Sequence, residues 1–296
     1  MLKNYKINFV HYESRIDRWL KRIFSNLKQS FIEKMLRKGL IRVNRLKVSS
    51  KYRLKENDIV NIFNYSNKTY LSIPKIFSKK IIINSIKHQF KKSIIFENNN
   101  FIILNKWNGI STQGGSKINL SINDIIKDIS EDYNLVHRLD KDTSGLLIIA
   151  KNLLYTKLFG KIFKEKKIKK NYIAICEGVP KKHKSKIKFN IIDNKKSNIM
   201  RETITHYHVI SSRDNISLIR FEPITGKKHQ LRIIAKHLGC PIIGDNKYYL
   251  GKKYINEMLK LDSHYLQFII ENKDFNFKSK LPTHLIDFVA KKKLKF

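Results

Sequence analysis

Cysteine, proline and long apolar runs are scarce in this chain of 296 residues, which contains two cysteines and five prolines. Cys176 and Cys240 are too few for a disulfide framework and lack the paired spacing of a zinc site. No apolar run approaches the roughly 18 residues that span a bilayer, and the first residues lack the apolar core of a signal peptide. We therefore expect a cytoplasmic protein in a reducing compartment, with neither a membrane segment nor a metal.

Acidic residues are also scarce. The chain has 24 aspartates and glutamates but 61 lysines and arginines, which gives a net charge of +37. A charge of this size predicts a polyanionic partner, with nucleic acid ahead of an anionic membrane surface, and says nothing about the fold. Lys, Ile and Asn are abundant, as in proteins from AT-rich genomes, so codon bias is an alternative source of part of the charge. The length favours about two domains.

The first patterned stretch predicts two helices. Ser14 with Asp17, and Ser30 with Glu33, have the spacing of capping boxes, apolar residues recur at helical intervals, and Gly39 ends the second helix. The helices carry basic faces made of Arg15, Arg18 and Arg22 on the first, and of Lys34, Arg37 and Lys38 on the second. A single basic helix face is as often a solvated surface as an RNA-binding surface. Two adjacent basic faces in so basic a chain favour RNA binding.

Short strands are predicted at residues 40–44, 45–48 and 59–63. Together with the two helices they resemble the alpha-L (S4-like) RNA-binding domain, and we assign residues 14–63 to it. Arg45 and Asn57 stand where that family usually has a small turn residue such as glycine. Residues 64–93 are polar and lysine-rich and predict a basic linker, and residues 94–296 form the second domain.

One charged stretch dominates the second domain. Residues 136–145 read Val-His-Arg-Leu-Asp-Lys-Asp-Thr-Ser-Gly and lead into the apolar run 146–150. A short, continuous apolar run bounded by a turn signal predicts a buried strand, which would hold Asp140 beside a rigid element. Charged turns beside strands are usually only solvated connections, so the turn alone does not establish a site.

Further elements surround this stretch. Strands are predicted at 101–106 and 170–176, the second with Tyr172, Ala174 and Cys176 on one face, and helices at 153–163 and 231–238. Gly114 and Gly115 predict a turn, without the Gly-Lys-Ser/Thr of a P-loop. Residues 181–215 are poorly informative, and two histidines there, His206 and His208, lack a third ligand for a metal.

The stretch His-Arg-Leu-Asp-Lys-Asp-Thr-Ser-Gly resembles the signature of the RluA/RluC/RluD-type pseudouridine synthases. The resemblance implies that Asp140 is the catalytic nucleophile and that Arg138 fills the space left by a flipped base. Lys170-Asn171-Tyr172 resembles the Lys/Arg-x-Tyr motif, implying that Tyr172 lies against the target base and takes part in proton removal. Residues 225–232 resemble Thr-Gly-Arg-x-His-Gln-Leu/Ile-Arg, implying an ion pair between Arg232 and Asp140.

The resemblance implies an α+β protein in which the S4-like domain precedes a mixed, mainly antiparallel catalytic sheet. It also implies isomerisation of uridines in large-subunit (23S) ribosomal RNA by a monomer, without a cofactor, and Lys227 and His229 as RNA contacts. Trp107, Lys227 and Ile234 depart from the usual residues, whereas the glycines after Gln113 look closer to the RluC branch. Two alternatives stay open: a synthase acting on transfer RNA, and a non-catalytic RNA-binding factor in ribosome assembly.

Overall fold

The computed structural model describes residues 1–8, 12–24, 27–71, 82–115, 118–194, 199–251, 253–254 and 256–296. The chain divides into two compact units, Met1–Lys80 and Ile81–Phe296. No helix in these described stretches is both long enough and apolar enough to cross a membrane.

The first unit packs helices against a small antiparallel sheet. Its elements are β1 (Lys3–Lys6), α1 (Ile16–Ile23), α2 (Gln29–Lys38), β2 (Ile41–Val43), β3 (Ile59–Ile62) and α3 (Asn67–Tyr70). The strand order is β1-β3-β2, and the core beneath the sheet includes Trp19, Leu20, Ile32 and Val60, all at most 2 % exposed. The two predicted helices and two of the three predicted strands are therefore present.

The local turns of the first unit differ from their predictions. The N-terminal caps of α1 and α2 are Arg15 and Lys28, whose side chains have no acceptor atom for a capping bond. Asp17 accepts hydrogen bonds from Arg15 and Gln29. Residues 45–48 form no strand. Asn44 and Arg45 adopt left-handed conformations, with φ of 48° and 64°, and turn the chain directly after β2.

The predicted linker differs from the structure at both ends. Tyr65 and Tyr70 stack at 5.0 Å and belong to the core of the first unit, while Phe90 is buried in a core of the second. These aromatic side chains bury too much apolar surface to stay in a solvated linker. The lysine-rich tract around Lys79 and Lys80 lies outside the described residues.

The second unit is built on one large sheet. Its elements are α4 (Asn84–Lys92), β4 (Ile94–Glu97), β5 (Phe101–Lys106), α5 (Ile122–Ile129), β6 (Asn134–Leu135), β7 (Ser144–Ala150), α6 (Leu153–Lys164), β8 (Lys169–Glu177), β9 (Lys184–Asn194), β10 (Ile199–Arg213), β11 (Ile216–Pro223), α7 (Gln230–His237), β12 (Leu261–Ile270), β13 (Lys273–Lys278) and α8 (Thr283–Lys291).

The sheet runs β4-β5-β7-β12-β8-β11-β10-β9, with β13 beside β12 and β6 beside β7. Among the described strands only β7 and β12 pair in parallel, so the prediction of a mixed, mainly antiparallel sheet is confirmed. Every residue of β7 is buried, as the apolar run predicted. The charged stretch before β7 is thereby attached to the centre of the sheet.

Candidate active site

The loop from His137 to Thr143 enters the core through β7. Leu139 is only 4 % exposed, and its neighbour Asp140 points to the surface of the unit with a side chain that is 20 % exposed. His137 is structural, because its Nε2 accepts a hydrogen bond from the Ile148 amide at 2.9 Å and burial lowers its pKa to about 3, keeping the ring neutral. The loop therefore presents Asp140 from a well-packed base.

Two side chains, one at the end of β5 and one in the loop after it, fix the backbone on either side of Asp140. Thr112 Oγ1 donates to the Leu139 carbonyl at 2.7 Å and accepts from the Leu139 amide at 3.1 Å. The buried Lys106 Nζ donates to the carbonyls of Trp107, Ile110 and Lys141, each at 3.0 Å. Because these bonds use backbone atoms of the residues before and after Asp140, they set where its carboxylate lies.

Two cationic or potentially cationic groups approach the Asp140 carboxylate. Arg232 Nη1 lies 3.6 Å from its Oδ2, and His229 Nε2 lies 3.7 Å from its Oδ1. Burial lowers the pKa of His229, against the opposing effect of Asp140, so the ring is neutral at neutral pH. Arg232 therefore supplies the positive charge beside the carboxylate.

Arg232 is itself held by a second carboxylate that the sequence did not single out. Its Nε and Nη2 donate to the two oxygens of Asp245 at 2.7 and 2.6 Å, and both residues are buried. Burial opposes ionisation of Asp245, but this bidentate pair and the backbone amides of Lys247 and Tyr248 hold its pKa below the ordinary value. Arg232 also lies over the Tyr248 ring, 5.2 Å from the centroid.

The sequence signal for Asp245 is the segment Gly244-Asp245-Asn246-Lys247-Tyr248, which resembles the Gly-Asp-x-x-Tyr segment of the pseudouridine synthases. Gly244 adopts φ of 76°, and a Cβ there would collide with the backbone of Met258. The segment thus turns tightly enough for its amides to reach the Asp245 carboxylate. Asp245 in turn holds the Arg232 guanidinium through its two hydrogen bonds.

Tyr172 lies on β8 and packs against two core clusters of the second unit. Burial is the main cause that raises its pKa to about 12; a hydrogen bond with Ser263 opposes it, and the charges of Asp140 and Asp262 add smaller increases. The phenol is therefore protonated at neutral pH. Alternation along β8 places Ala174 and Cys176 on the same face, as predicted.

A cavity of about 300 Å³ brings the predicted residues together. Asp140, Tyr172 and Arg232 line it, as do Arg138, Lys227 and His229. Arg138 is exposed, and its Nη1 donates to Gln113 Oε1 at 3.3 Å. The remaining lining residues are His137, Leu139, Thr143, Phe163, Lys170, Pro223, Thr225, Gly226, Lys228, Gln230, Leu231 and Leu261.

The basic residues predicted on the first unit divide into two groups. Arg15 donates to Asp17 at 2.6 Å, so its guanidinium is already paired. The exposed members are Arg18 and Arg22 on α1, and Lys34, Arg37 and Lys38 on α2. Elsewhere in the described stretches, no three His, Cys, Asp or Glu side chains are grouped so that they could hold a metal ion.

Comparisons with known proteins agree with this arrangement. The model of the RNA pseudouridylate synthase family matches residues 100–237, and the S4 domain model matches residues 14–60. A curated relative from Rickettsia bellii, ribosomal large subunit pseudouridine synthase C, is 39 % identical over 289 residues, covering 92 % of this chain and 95 % of its own length. The protein of the same name from Buchnera aphidicola subsp. Baizongia pistaciae is 35 % identical, covering 96 % and 93 %.

A solved structure has a similar fold. Human RNA pseudouridylate synthase domain containing 4 superimposes with a TM-score of 0.63 at 24 % identity, covering 72 % of this chain and 97 % of that one.

Proposed function

Because the chain belongs to the RNA pseudouridylate synthase family, we propose that it converts specific uridines of large-subunit ribosomal RNA to pseudouridine, with Asp140 as the nucleophile. The names of the curated relatives support this substrate, and the S4 domain supports RNA binding. The assignment of Asp140 as the nucleophile rests on its partly exposed carboxylate, which faces the cavity and has Arg232 Nη1 at 3.6 Å. All residues that line the cavity come from the second unit, so a monomer has a complete active site. A ribosomal RNA substrate fits the cytoplasmic location expected from the sequence.

The reaction is an isomerisation. The bond between N1 of uracil and C1′ of ribose breaks, the base turns over, and a bond forms between C5 and C1′ while C5 loses its proton and N1 gains one. No electrons are transferred, so the chemistry needs no redox cofactor. Asp140 attacks either the sugar or the base, and the Arg232 guanidinium at 3.6 Å orients the attacking carboxylate.

The cavity suits a single flipped nucleoside. Its volume of about 300 Å³ lies at the small end of ligand pockets, which range over roughly 300–1,000 Å³. Leu139 and Leu261 give it apolar walls beside the carboxylate. A paired uridine must leave its stack to enter, at a cost of a few kcal/mol. The exposed Arg138 at the same cavity would occupy the vacated space.

The pH dependence of the reaction does not follow ionisation of Tyr172. With a pKa of about 12, about one phenol in a hundred is ionised at pH 10 and fewer below it, so Tyr172 acts as a neutral group that packs against and orients the base. We expect Tyr172→Phe to lower the single-turnover rate without changing the shape of its pH profile between pH 6 and about 10. A basic limb in that range that disappears in Tyr172→Phe would contradict this role.

Thr112 positions the nucleophile through the backbone. Thr112→Val keeps the side-chain volume but leaves the buried amide and carbonyl of Leu139 without their partner, which costs about 1–3 kcal/mol of stability. Because Asp140 then shifts, the rate at saturating RNA should fall about 10- to 100-fold. Thr112→Ser keeps the hydroxyl and should restore most of the rate. Equal rates in the valine and serine variants would show that the hydroxyl does not position Asp140.

Tritium release tests the proposed function directly. Ribosomal and transfer RNA transcripts labelled with tritium at C5 of uridine are incubated with the protein, and the tritium that reaches water is measured. The proposal predicts release from large-subunit ribosomal RNA. Release from transfer RNA alone would favour the transfer-RNA alternative, and binding without release from either RNA would favour the assembly factor.

A further inference from the structure

A second cavity, of about 360 Å³, adjoins the cavity at Asp140. The two share part of their walls, since both are lined by Phe163, Lys170, Thr225, Gly226 and Lys227. The second cavity lies between the end of α6, the start of β8 and the loop after β11. A ligand that continues past the first cavity can therefore reach the second.

Lys170 is the innermost cation of this second cavity. Its Nζ lies 5.9 Å from the centroid of the Phe163 ring, and a Cβ on Gly226 would lie 3.9 Å from it. Burial lowers the pKa of Lys170, and among the described residues no carboxylate offsets the lost solvation. The ammonium thus lies between an aromatic ring and a glycine loop, desolvated and available to an anion.

Three further lysines surround the cavity. Lys164 ends α6 and Lys166 follows it, both exposed, and Lys227 lies on the loop after β11. The one acidic residue in this turn, Glu165, pairs with Lys167 at 2.8 Å. The carbonyl end of α6 carries partial negative charge, which Lys164 in its last turn opposes. The cavity therefore presents a net positive lining.

We propose that this cavity binds a backbone phosphate of the RNA strand next to the target uridine, with Lys170 as the inner contact. Four lysines line the cavity and favour an anionic occupant. The wall that the two cavities share places that occupant beside the nucleotide at Asp140. The inference rests on the proposed function, since it assumes that a nucleotide occupies the first cavity, and it assigns to Lys170 a task separate from the chemistry of Asp140.

Paired substitutions at neighbouring lysines test the assignment. Lys169 and Lys170 lie on opposite faces of β8, and Lys169 is exposed and outside both cavities. Binding of the full chain to an unmodified large-subunit ribosomal RNA transcript is measured from about 50 to 200 mM salt. We expect Lys170→Met to weaken binding about tenfold and to reduce the slope of log affinity against log salt by about one, as loss of a phosphate contact should. Lys169→Met should leave affinity and slope close to those of the wild type.

Two further variants separate charge from folding. Lys170→Arg keeps the cation and should restore the salt slope, and Lys164→Gln alters an exposed position and should reduce the slope without affecting stability. Equal losses in the Lys169 and Lys170 variants, or no loss in Lys170→Met, would overturn the phosphate site. The binding measurement is independent of tritium release: if the wild type releases no tritium but the Lys170 effect persists, the proposed function fails and the phosphate site stands.

Discussion

Replacing Asp140 with asparagine should abolish pseudouridine formation, with a fall in single-turnover rate on the order of 10⁴-fold or more. The amide has nearly the same shape as the carboxylate but carries no charge and is a poor nucleophile. The bonds that fix the loop use backbone atoms of Leu139 and Lys141, so they survive the substitution. RNA affinity and thermal stability should therefore stay near those of the wild type, and tritium release measures the rate.

Asp142 provides the matched control for this experiment. It belongs to the same loop and also carries a carboxylate, but it does not line the cavity. Asp142→Asn removes the same charge two residues away and should retain most of the activity. If Asp142→Asn loses activity as completely as Asp140→Asn, the loss of activity is caused by the lost charge in the loop and not by the loss of a nucleophile at Asp140.

Breaking the pair between Arg232 and Asp245 should have the largest effect on stability. Asp245→Ala leaves a buried guanidinium without its bidentate partner, and removal of one member of such a pair costs about 3–5 kcal/mol. The freed Arg232 then loses its orientation toward Asp140, so activity should fall although Asp245 does not line the cavity. Urea unfolding measures the loss through its midpoint, provided that the slope is unchanged.

Asp214→Asn is the control, because Asp214 is 76 % exposed and its nearest cation lies at 3.7 Å. It should change stability by no more than about 0.5 kcal/mol. The folded state lowers the pKa of Asp245, so the pair contributes fully above the ordinary value of 3.8 and its contribution is lost as pH falls through the folded value. An Asp245→Ala protein as stable as the control would contradict a structural pair.

The sequence predicts those helices and strands whose buried residues form a recognisable pattern of apolar residues along the chain. β7 is fully buried, so its residues form a continuous apolar run, and α7 shows the apolar stripe of a helix packed on one side. The hairpin of β9 and β10 escaped prediction. The buried face of β10 includes Thr203 and Thr205, so polar side chains obscure the alternation that would indicate a strand.

The site depends on contacts that no local pattern encodes. Asp140 and Arg232 are far apart in sequence, and only the resemblance to a family implied that they would meet. The structure places them 3.6 Å apart, while the closer partner of Arg232 is Asp245. The first predicted capping box is absent because Asp17 pairs with Arg15 and Gln29, and the second is absent because α2 begins at Gln29, which places Ser30 inside the helix. Side-chain pairing outweighs the local sequence pattern at these positions.

Site mapping tests the central claim most directly. Unmodified large-subunit ribosomal RNA is incubated with the wild type or with Asp140→Asn, treated with carbodiimide, and read by primer extension, which stops at modified pseudouridines. The account predicts stops at a few discrete uridines with the wild type and none with Asp140→Asn. Stops at the same uridines with both proteins would contradict the assignment of Asp140 as the nucleophile.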